Sequence, residues 1–208
     1  MLKSVVMSLL LALALVHAAG PSRAAPVILV YGDSLSAAYG LPENSGWPAL
    51  LAQRLKSERL DYTVVNASIS GEITSGGLAR LPKVLAQHRP ALVIIALGAN
   101  DGLRGLPMAQ MKTNLVRMIE SVRAAKARPL LVGMRMPPNY GPDYTTAFER
   151  VFRDVAREQK VPLVPFLLEG VAERRELFLD DNIHPSAAGQ PYALDNVWKV
   201  LGPLLRKR

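Results

Sequence analysis

The sequence has no cysteine among its 208 residues. Disulfide bridges, zinc–thiolate sites and cysteine nucleophiles are therefore excluded. Histidine is also scarce, with three in the chain, and aromatic residues make up only 6% of it. Neither of the glycine-rich phosphate-binding patterns, G-x-G-x-x-G and G-x-x-x-x-G-K-[ST], occurs. These absences argue against nucleotide binding and, in spite of a net charge of +8, against binding to nucleic acid.

The N-terminus is typical of a secretory signal peptide. Lys3 precedes an uncharged apolar run over residues 4–16, which is shorter than the roughly 18 apolar residues of a membrane span. The pattern predicts a signal peptide over residues 1–24 and a single domain over residues 25–208. We therefore expect an exported protein, periplasmic or secreted, without stable membrane insertion after cleavage.

The cleavage site follows from the small residues that a signal peptidase needs at the −3 and −1 positions. Ser22 and Ala24 meet this need and place the cut before Ala25. Val16 and Ala18 offer a second site. The alternative to cleavage is an apolar segment retained as an anchor helix.

Five short apolar segments indicate a parallel β-sheet. They lack the strict alternation of a sheet with one wet face, so we expect strands that are buried on both faces. The segments are Val27–Tyr31, Tyr62–Asn66, Ala91–Leu97, Leu130–Met134 and Val161–Phe166. Stretches of helical period lie between them, which predicts an α/β fold with right-handed crossovers. Pro82 interrupts one such stretch, so two short helices are expected there, the second starting near Pro82.

Polar residues and glycines cluster where the predicted strands end. Ligands bind beyond the carboxyl ends of the strands in open parallel sheets. The loops at that edge include residues 32–36, 66–72, 98–102 and 180–185. Ordinary turn chemistry is the alternative explanation for any one of them, but four together predict a functional site at this edge.

A serine and a histidine in these loops are candidates for nucleophilic catalysis. Ser34 directly follows a strand, and its alternative role is the N-cap of a helix. His184 comes three residues after Asp181, a spacing that allows the carboxylate to hold one ring nitrogen and leaves the other for the serine. Asp33 and Asp180 are rival acids, of which Asp33 is expected to support the turn that carries Ser34.

The motifs resemble a known family. Gly32-Asp33-Ser34-Leu35 is similar to the signature of the GDSL hydrolases, in the SGNH branch named after a serine, a glycine, an asparagine and a histidine in four separate blocks. The four counterparts here are Ser34, Gly71, Asn100 and His184. Further stretches, at residues 65–71, 77–82 and 100–105, resemble the bacterial periplasmic thioesterase I/protease I/lysophospholipase group, whose members are also called arylesterases. The chain departs from that pattern with Glu72-Ile73 after the glycine and with Ala99.

This resemblance implies a three-layer α/β/α flavodoxin-like fold with a five-stranded parallel sheet. It also implies a serine hydrolase that acts on aryl and alkyl esters and on acyl thioesters through an acyl-enzyme on Ser34, with lysophospholipids as a further candidate class. His184 would be the base and Asp181 its partner. The amides of Ser34 and Gly71 and the side chain of Asn100 would form the oxyanion hole. No metal or other cofactor is implied.

The substrate side is predicted from apolar residues at the same edge. Leu103, Leu106, Pro107, Met136 and Tyr140 are expected to line an acyl groove, or alternatively to pack on the core. The expected partner is a small acyl ester or thioester, with no nucleic acid, and the protein is expected to be a monomer. Two other functions stay open, a metal-dependent phosphoesterase and a non-catalytic binding module on the same fold.

The signal-peptide prediction can be tested by mass spectrometry. When the full chain is expressed in a bacterial host, the exported protein should have the intact mass of residues 25–208. Ala24→Phe should block processing, because the −1 position requires a small residue. Ala25→Ser is the matched control and should be processed normally. An unprocessed wild-type chain, or one beginning at residue 19, would contradict the predicted cut.

Overall fold

The structure is a computed structural model, and it describes residues 24–42 and 44–206. The predicted signal peptide thus lies outside the described residues, apart from its last position. Five strands form one sheet. They are β1 (Val27–Gly32), β2 (Thr63–Asn66), β3 (Leu92–Ala96), β4 (Arg128–Val132) and β5 (Leu163–Val164). All neighbouring pairs are parallel, in the order β2-β1-β3-β4-β5.

This order confirms the predicted flavodoxin-like α/β fold. From β1 the chain moves to one side of the sheet to form β2, and it then crosses back to form β3 on the other side of β1. The order therefore reverses between β1 and β3. The loops that follow these two strands diverge, and a crevice opens between them at the carboxyl edge of the sheet.

Six helices cover the sheet in the described part of the chain. They are α1 (Trp47–Ser57), α2 (Thr74–His88), α3 (Ala99–Leu103), α4 (Met108–Ala124), α5 (Pro142–Gln159) and α6 (Gln190–Arg206). Two short 3₁₀ turns occupy Pro138–Tyr140 and Arg175–Leu177. Among these helices, none has both the length and the apolar character needed to cross a membrane.

Two hydrophobic cores, one on each face of the sheet, hold the three layers together. Successive strand residues point to opposite faces, so Val30 of β1 packs with α1 and α6 while the next residue, Tyr31, packs with α2, α4 and α5. Both side chains are completely buried. The inner strands β1 and β3 read as continuous apolar runs because both of their faces are covered. The edge strand β2 differs from the expectation, because none of its four residues is fully buried.

The prediction of two short helices around Pro82 was wrong. A single helix, α2, runs from Thr74 to His88 with Pro82 inside it. Proline removes one N–H from the helical ladder and crowds the carbonyl four residues earlier, here that of Leu78. Pro82 lies on the exposed side of α2, where water can bond that carbonyl, while Leu81 and Leu85 are buried on the opposite side. The burial of the leucines keeps the helix continuous.

The fourth and fifth strands and one helix start also differ from prediction, while the bounds of the first three strands agree to within one residue. The fourth strand begins at Arg128 and ends at Val132, so Met134 lies in the following loop. The fifth strand has two residues, because Pro162 and Pro165 on either side of it have no N–H for a sheet ladder. No helix starts at Ser34; residues 33–40 form turns, so the N-cap alternative for Ser34 is wrong.

The strain at Pro82 can be measured. Pro82→Ala restores an N–H that the Leu78 carbonyl can accept and removes the clash of the ring. The free energy of unfolding in urea should rise by about 1–2 kcal/mol. Lys83→Ala, at the next exposed position of the same helix, is the control and should change it by less than about 0.5 kcal/mol. A Pro82→Ala protein no more stable than the control would contradict this account.

Candidate active site

A tight turn presents Ser34 just after the end of the inner strand β1. An oxygen of the Asp33 carboxyl group accepts the Leu35 amide at 3.0 Å, which forms the local turn that aspartate side chains favour. The Asp33 carbonyl also accepts the Ala37 amide at 2.9 Å. Gly32 is needed here, because a Cβ at that position would lie 2.7 Å from the Ser36 hydroxyl. Asp33 thus supports the turn as predicted from its position.

His184 reaches Ser34 from a loop after the edge strand β5. An antiparallel bridge between Phe178 and Pro185 closes this loop on itself. The Leu179 amide donates to the His184 carbonyl at 2.8 Å. Gln190 anchors the loop further, because its side chain donates to the Pro185 carbonyl and accepts the amide of Trp47. These bonds hold the loop that carries His184 in place, although the loop contains no α-helix or extended strand.

The two loops bring a hydroxyl, an imidazole and a carboxylate into a hydrogen-bonded series. Ser34 Oγ lies 2.8 Å from His184 Nε2. His184 Nδ1 lies 2.6 Å from Asp181 Oδ2. Asp180, the rival acid, makes no side-chain bond to the ring; its main-chain carbonyl faces Arg175. The structure therefore places Asp181, and not Asp180, beside the histidine.

The electrostatics of Asp181 determine which ring nitrogen carries the proton. Partial desolvation raises its pKa, but the bonds from the His184 amide, the His184 ring and the Ile183 amide outweigh it and lower the pKa to about 2. The carboxylate is consequently ionised at neutral pH and can only accept hydrogen bonds. In the neutral ring the proton must sit on Nδ1, so Nε2 is left to accept from the Ser34 hydroxyl.

Three hydrogen-bond donors surround the space in front of Ser34. Within the described residues, the amides of Ser34 and Gly71 bond to no other group. Gly71 is the third residue of a turn closed by the Glu72 amide and the Ile69 carbonyl, and its φ of +78° favours glycine. One N–H of the Asn100 amide donates to the Glu72 carbonyl at 3.1 Å, which leaves the other N–H available.

A buried aspartate next to Asn100, Asp101, supports the site and was not predicted from the sequence. The Asp101 side chain accepts both the amide and the hydroxyl of Thr74, and Asn114 donates to the same hydroxyl. Asp101 and Thr74 are almost completely buried. This network ties the start of α2 to α3, and thereby ties the Gly71 loop to Asn100. In the sequence, the only indication of this role was an acidic residue directly after Asn100. Aspartate is also common in turns, so its presence there did not identify a buried network.

A cavity of about 700 Å³ opens beside Ser34 and His184. Its wall is mostly apolar and comes from the loops after all five strands. Prominent apolar members are Leu35, Met134, Phe166, Leu168 and Phe178. Tyr39 borders the mouth, with its ring centroid 4.5 Å from that of His184. These residues were not predicted from the sequence, because they come from loops that are distant from one another along the chain.

Of the five predicted groove residues, Leu103 and Met136 line this cavity and three do not. Pro107 is the exposed N-cap of α4. The Leu106 amide is bonded to the Asp101 carbonyl, in a turn away from the cavity. Tyr140 stacks on Tyr144 and donates to a carbonyl of α3. Local backbone bonds and aromatic stacking, which sequence position does not reveal, orient these three elsewhere.

Asp33 is buried, with 1% of its surface exposed. Its Oδ2 has no hydrogen-bond partner among the described residues. Burial raises the pKa of Asp33 to about 7, with smaller contributions from the charges of Asp101 and Glu72, against the lowering effect of the Leu35 amide. Asp33 is therefore largely protonated below neutral pH, unlike Asp181.

These features define a class of protein. A serine hydroxyl bonded to an imidazole, itself bonded to a carboxylate, is the arrangement of a serine hydrolase. Its position at the carboxyl edge of a parallel sheet, beside an apolar cavity, suits an acyl substrate.

Comparison with known proteins gives the family. The chain belongs to the GDSL-like Lipase/Acylhydrolase family, whose model matches residues 30–191. It is 55% identical over 182 residues to Esterase TesA of Pseudomonas aeruginosa, covering 88% of this chain and 90% of that one. It is 44% identical over 184 residues to Thioesterase 1/protease 1/lysophospholipase L1 of Escherichia coli K12, covering 88% and 87%. A crystal structure of TesA superposes with a TM-score of 0.84 at 54% identity, covering 86% of this chain and 99% of that one.

The protein is accordingly an enzyme, a hydrolase of carboxylic esters of the GDSL type. This confirms the predicted family and reaction class. The metal-dependent phosphoesterase and the non-catalytic binding module are not favoured.

The burial of Asp33 predicts a pH-dependent stability. Its pKa is raised from 3.8 to about 7 on folding, so between these values the folded protein holds a proton that the unfolded chain releases. The contribution of this group to the free energy of unfolding must then fall as pH rises from 4 to 7. Asp33→Asn does not titrate, and relative to wild type it should gain about 2–4 kcal/mol between pH 4 and pH 8.

Urea unfolding at pH 4.5, 6 and 8 provides the measurement. Asp61→Asn, at an exposed position, is the matched control and should follow the wild-type curve. Parallel curves for wild type and Asp33→Asn would show that Asp33 is ionised in the folded state, against this prediction.

Proposed function

We propose that Ser34 is the nucleophile, His184 the general base and Asp181 the residue that orients the histidine. The observation that carries this assignment is the 2.8 Å contact between Ser34 Oγ and His184 Nε2, with Nδ1 bonded to the ionised Asp181. A base must lie within hydrogen-bond reach of the proton it removes, and this geometry meets that condition without rearrangement.

The proposed oxyanion hole consists of the Ser34 amide, the Gly71 amide and the Asn100 side chain. All three residues border the cavity next to the nucleophile, and each has an N–H available within the described residues. Negative charge that develops on the substrate carbonyl oxygen would be stabilised by these donors. Loss of one such donor typically lowers turnover about 100- to 1000-fold.

The reaction proceeds in two halves. Ser34 Oγ attacks the acyl carbonyl carbon while Nε2 of His184 takes the hydroxyl proton. The tetrahedral intermediate then expels the alcohol or thiol, which receives that proton from His184. In the second half, His184 removes a proton from water, the hydroxide attacks the acyl-enzyme, and the proton returns to Ser34 as the carboxylic acid departs. Throughout, Asp181 stabilises the imidazolium.

The proposed substrates are acyl esters and thioesters of broad range, including aryl and alkyl esters and lysophospholipids. An apolar wall around about 700 Å³ suits an acyl chain, since burial of each methylene contributes about 0.8 kcal/mol. Arg135 and Arg175 are the basic residues of the wall. The printed names of the relatives, an esterase and a thioesterase/lysophospholipase, support the same range.

We also propose that the enzyme is exported to the periplasm or secreted, and that it acts as a monomer without nucleic acid. Export is supported by the basic start and apolar run of residues 1–24. The monomer is supported by the composition of the site, because one chain supplies the proposed triad and all three oxyanion donors.

Hydrolysis of p-nitrophenyl butyrate by the purified mature protein tests the proposed nucleophile. Ser34→Ala should fold normally and lose roughly 1000-fold or more in kcat, because no other group forms the acyl-enzyme. Wild-type activity should be indifferent to EDTA. A fluorophosphonate should add its phosphonyl group to Ser34, as located by peptide mass spectrometry.

Ser36→Ala is the matched control, since it removes a hydroxyl from the same turn that has no hydrogen-bond partner in the described structure. It should retain wild-type kcat and fluorophosphonate labelling. Activity that survives Ser34→Ala would contradict the assignment of Ser34 as the nucleophile. Activity abolished by EDTA would favour the alternative of a metal-dependent phosphoesterase.

A further inference from the structure

The segment that presents Gly71 has little regular structure to hold it. Residues 67–73 connect β2, which ends at Asn66, to α2, which starts at Thr74. To be effective, an oxyanion donor must be held within about 0.5 Å and about 10–20° of its productive position and orientation. Contacts from outside the segment must therefore hold the Gly71 amide in place.

Arg80 contacts both ends of this segment from the second turn of α2. Its Nε donates to the Glu72 carboxylate at 2.5 Å, and its Nη2 donates to the Ala67 carbonyl at 2.8 Å. The guanidinium also lies over the ring of Tyr31, 4.1 Å from the centroid. One planar group thus contacts the beginning of the loop, the end of the loop and strand β1.

The ion pair between Arg80 and Glu72 is largely shielded from water and tightly packed. The Glu72 side chain is 11% exposed and that of Arg80 is 22% exposed, so water screens the pair less than a surface pair. Gly76 makes room for the carboxylate, because a Cβ there would lie 2.5 Å from Glu72 Oε1. The buried Tyr31 hydroxyl donates to the Gly77 carbonyl, which holds the ring beneath the guanidinium.

We propose that Arg80 and Glu72 are positioning residues for the oxyanion hole. Arg80 joins the two ends of the loop, because it bonds the Glu72 carboxylate and the Ala67 carbonyl. These bonds set the direction of the Gly71 amide, which lies between Ala67 and Glu72 in the chain. The pair does not touch the cavity, so it acts on the transition state through Gly71 and not on substrate binding. The inference rests on the proposed function, in which that amide stabilises the oxyanion.

Arg80→Met keeps much of the side chain and removes both bonds. With p-nitrophenyl butyrate, kcat should fall about 10- to 100-fold, in the range of a weakened oxyanion donor, while KM changes less than about threefold. Phosphonylation of Ser34 by a fluorophosphonate should slow by a similar factor. Arg80→Lys retains the charge but not the two-pronged geometry, and should fall between wild type and Arg80→Met.

Glu72→Gln tests the partner with a smaller change of shape and should lower kcat in the same direction. The double variant Glu72→Gln/Arg80→Met should lose little more than Arg80→Met, because the two residues act as one unit. Lys83→Met is the matched control: it removes a positive charge from the exposed side of the same helix and should leave kcat unchanged.

A kcat of Arg80→Met within twofold of Lys83→Met would overturn the inference, as would a rise in KM at constant kcat. If Arg80→Met does not fold, Glu72→Gln decides by the same criteria, and an unchanged kcat overturns the inference. Failure of the proposed function itself is distinguishable, because it would appear as activity in Ser34→Ala whatever Arg80 does.

Discussion

The hydrogen bond between Ser34 and His184 joins residues that are 150 positions apart in the chain. It can form because the parallel sheet brings the loops after β1 and β5 to the same edge. Ser34 follows the inner strand β1 of a parallel sheet, while the His184 loop leaves from the edge strand β5 and returns to the carboxyl end of β1. The bridge from Phe178 to Pro185 and the contacts of Gln190 hold this loop in place. Hydrophobic cores on both faces of the sheet provide a rigid support, so the contact exists before substrate binds.

The carboxyl groups near Ser34 have different environments and therefore different protonation states. Asp181 is partly exposed and accepts three hydrogen bonds, so it is ionised and holds the histidine proton on Nδ1. Asp33 is buried with one oxygen unpartnered, so below neutral pH it is largely uncharged. This division leaves a negative charge beside the imidazole, where it stabilises the imidazolium. It adds little negative charge next to the serine, where an oxyanion would have to form.

Local patterns predicted best where a few neighbouring residues control the outcome. The buried strands and the turn built by Asp33 follow from short-range rules. Pro82 shows the limit of such rules, because its local cost is outweighed by the burial of Leu81 and Leu85 against other layers. The groove residues show another limit. Tyr140 is aromatic and lies at the carboxyl edge of the sheet, yet it stacks on Tyr144 and does not line the cavity.

The order of the motif blocks was sufficient for the family, the reaction class, the flavodoxin-like sheet and the loops that carry Ser34, Gly71, Asn100 and His184. Each of these depends on residue type and on alternation along the chain. The wall of the acyl cavity and the attachment of the Gly71 loop by Asp101 and Arg80 became visible only with the folded chain. They depend on distances between side chains from different loops and helices, which arise when the layers pack and have no counterpart in sequence spacing.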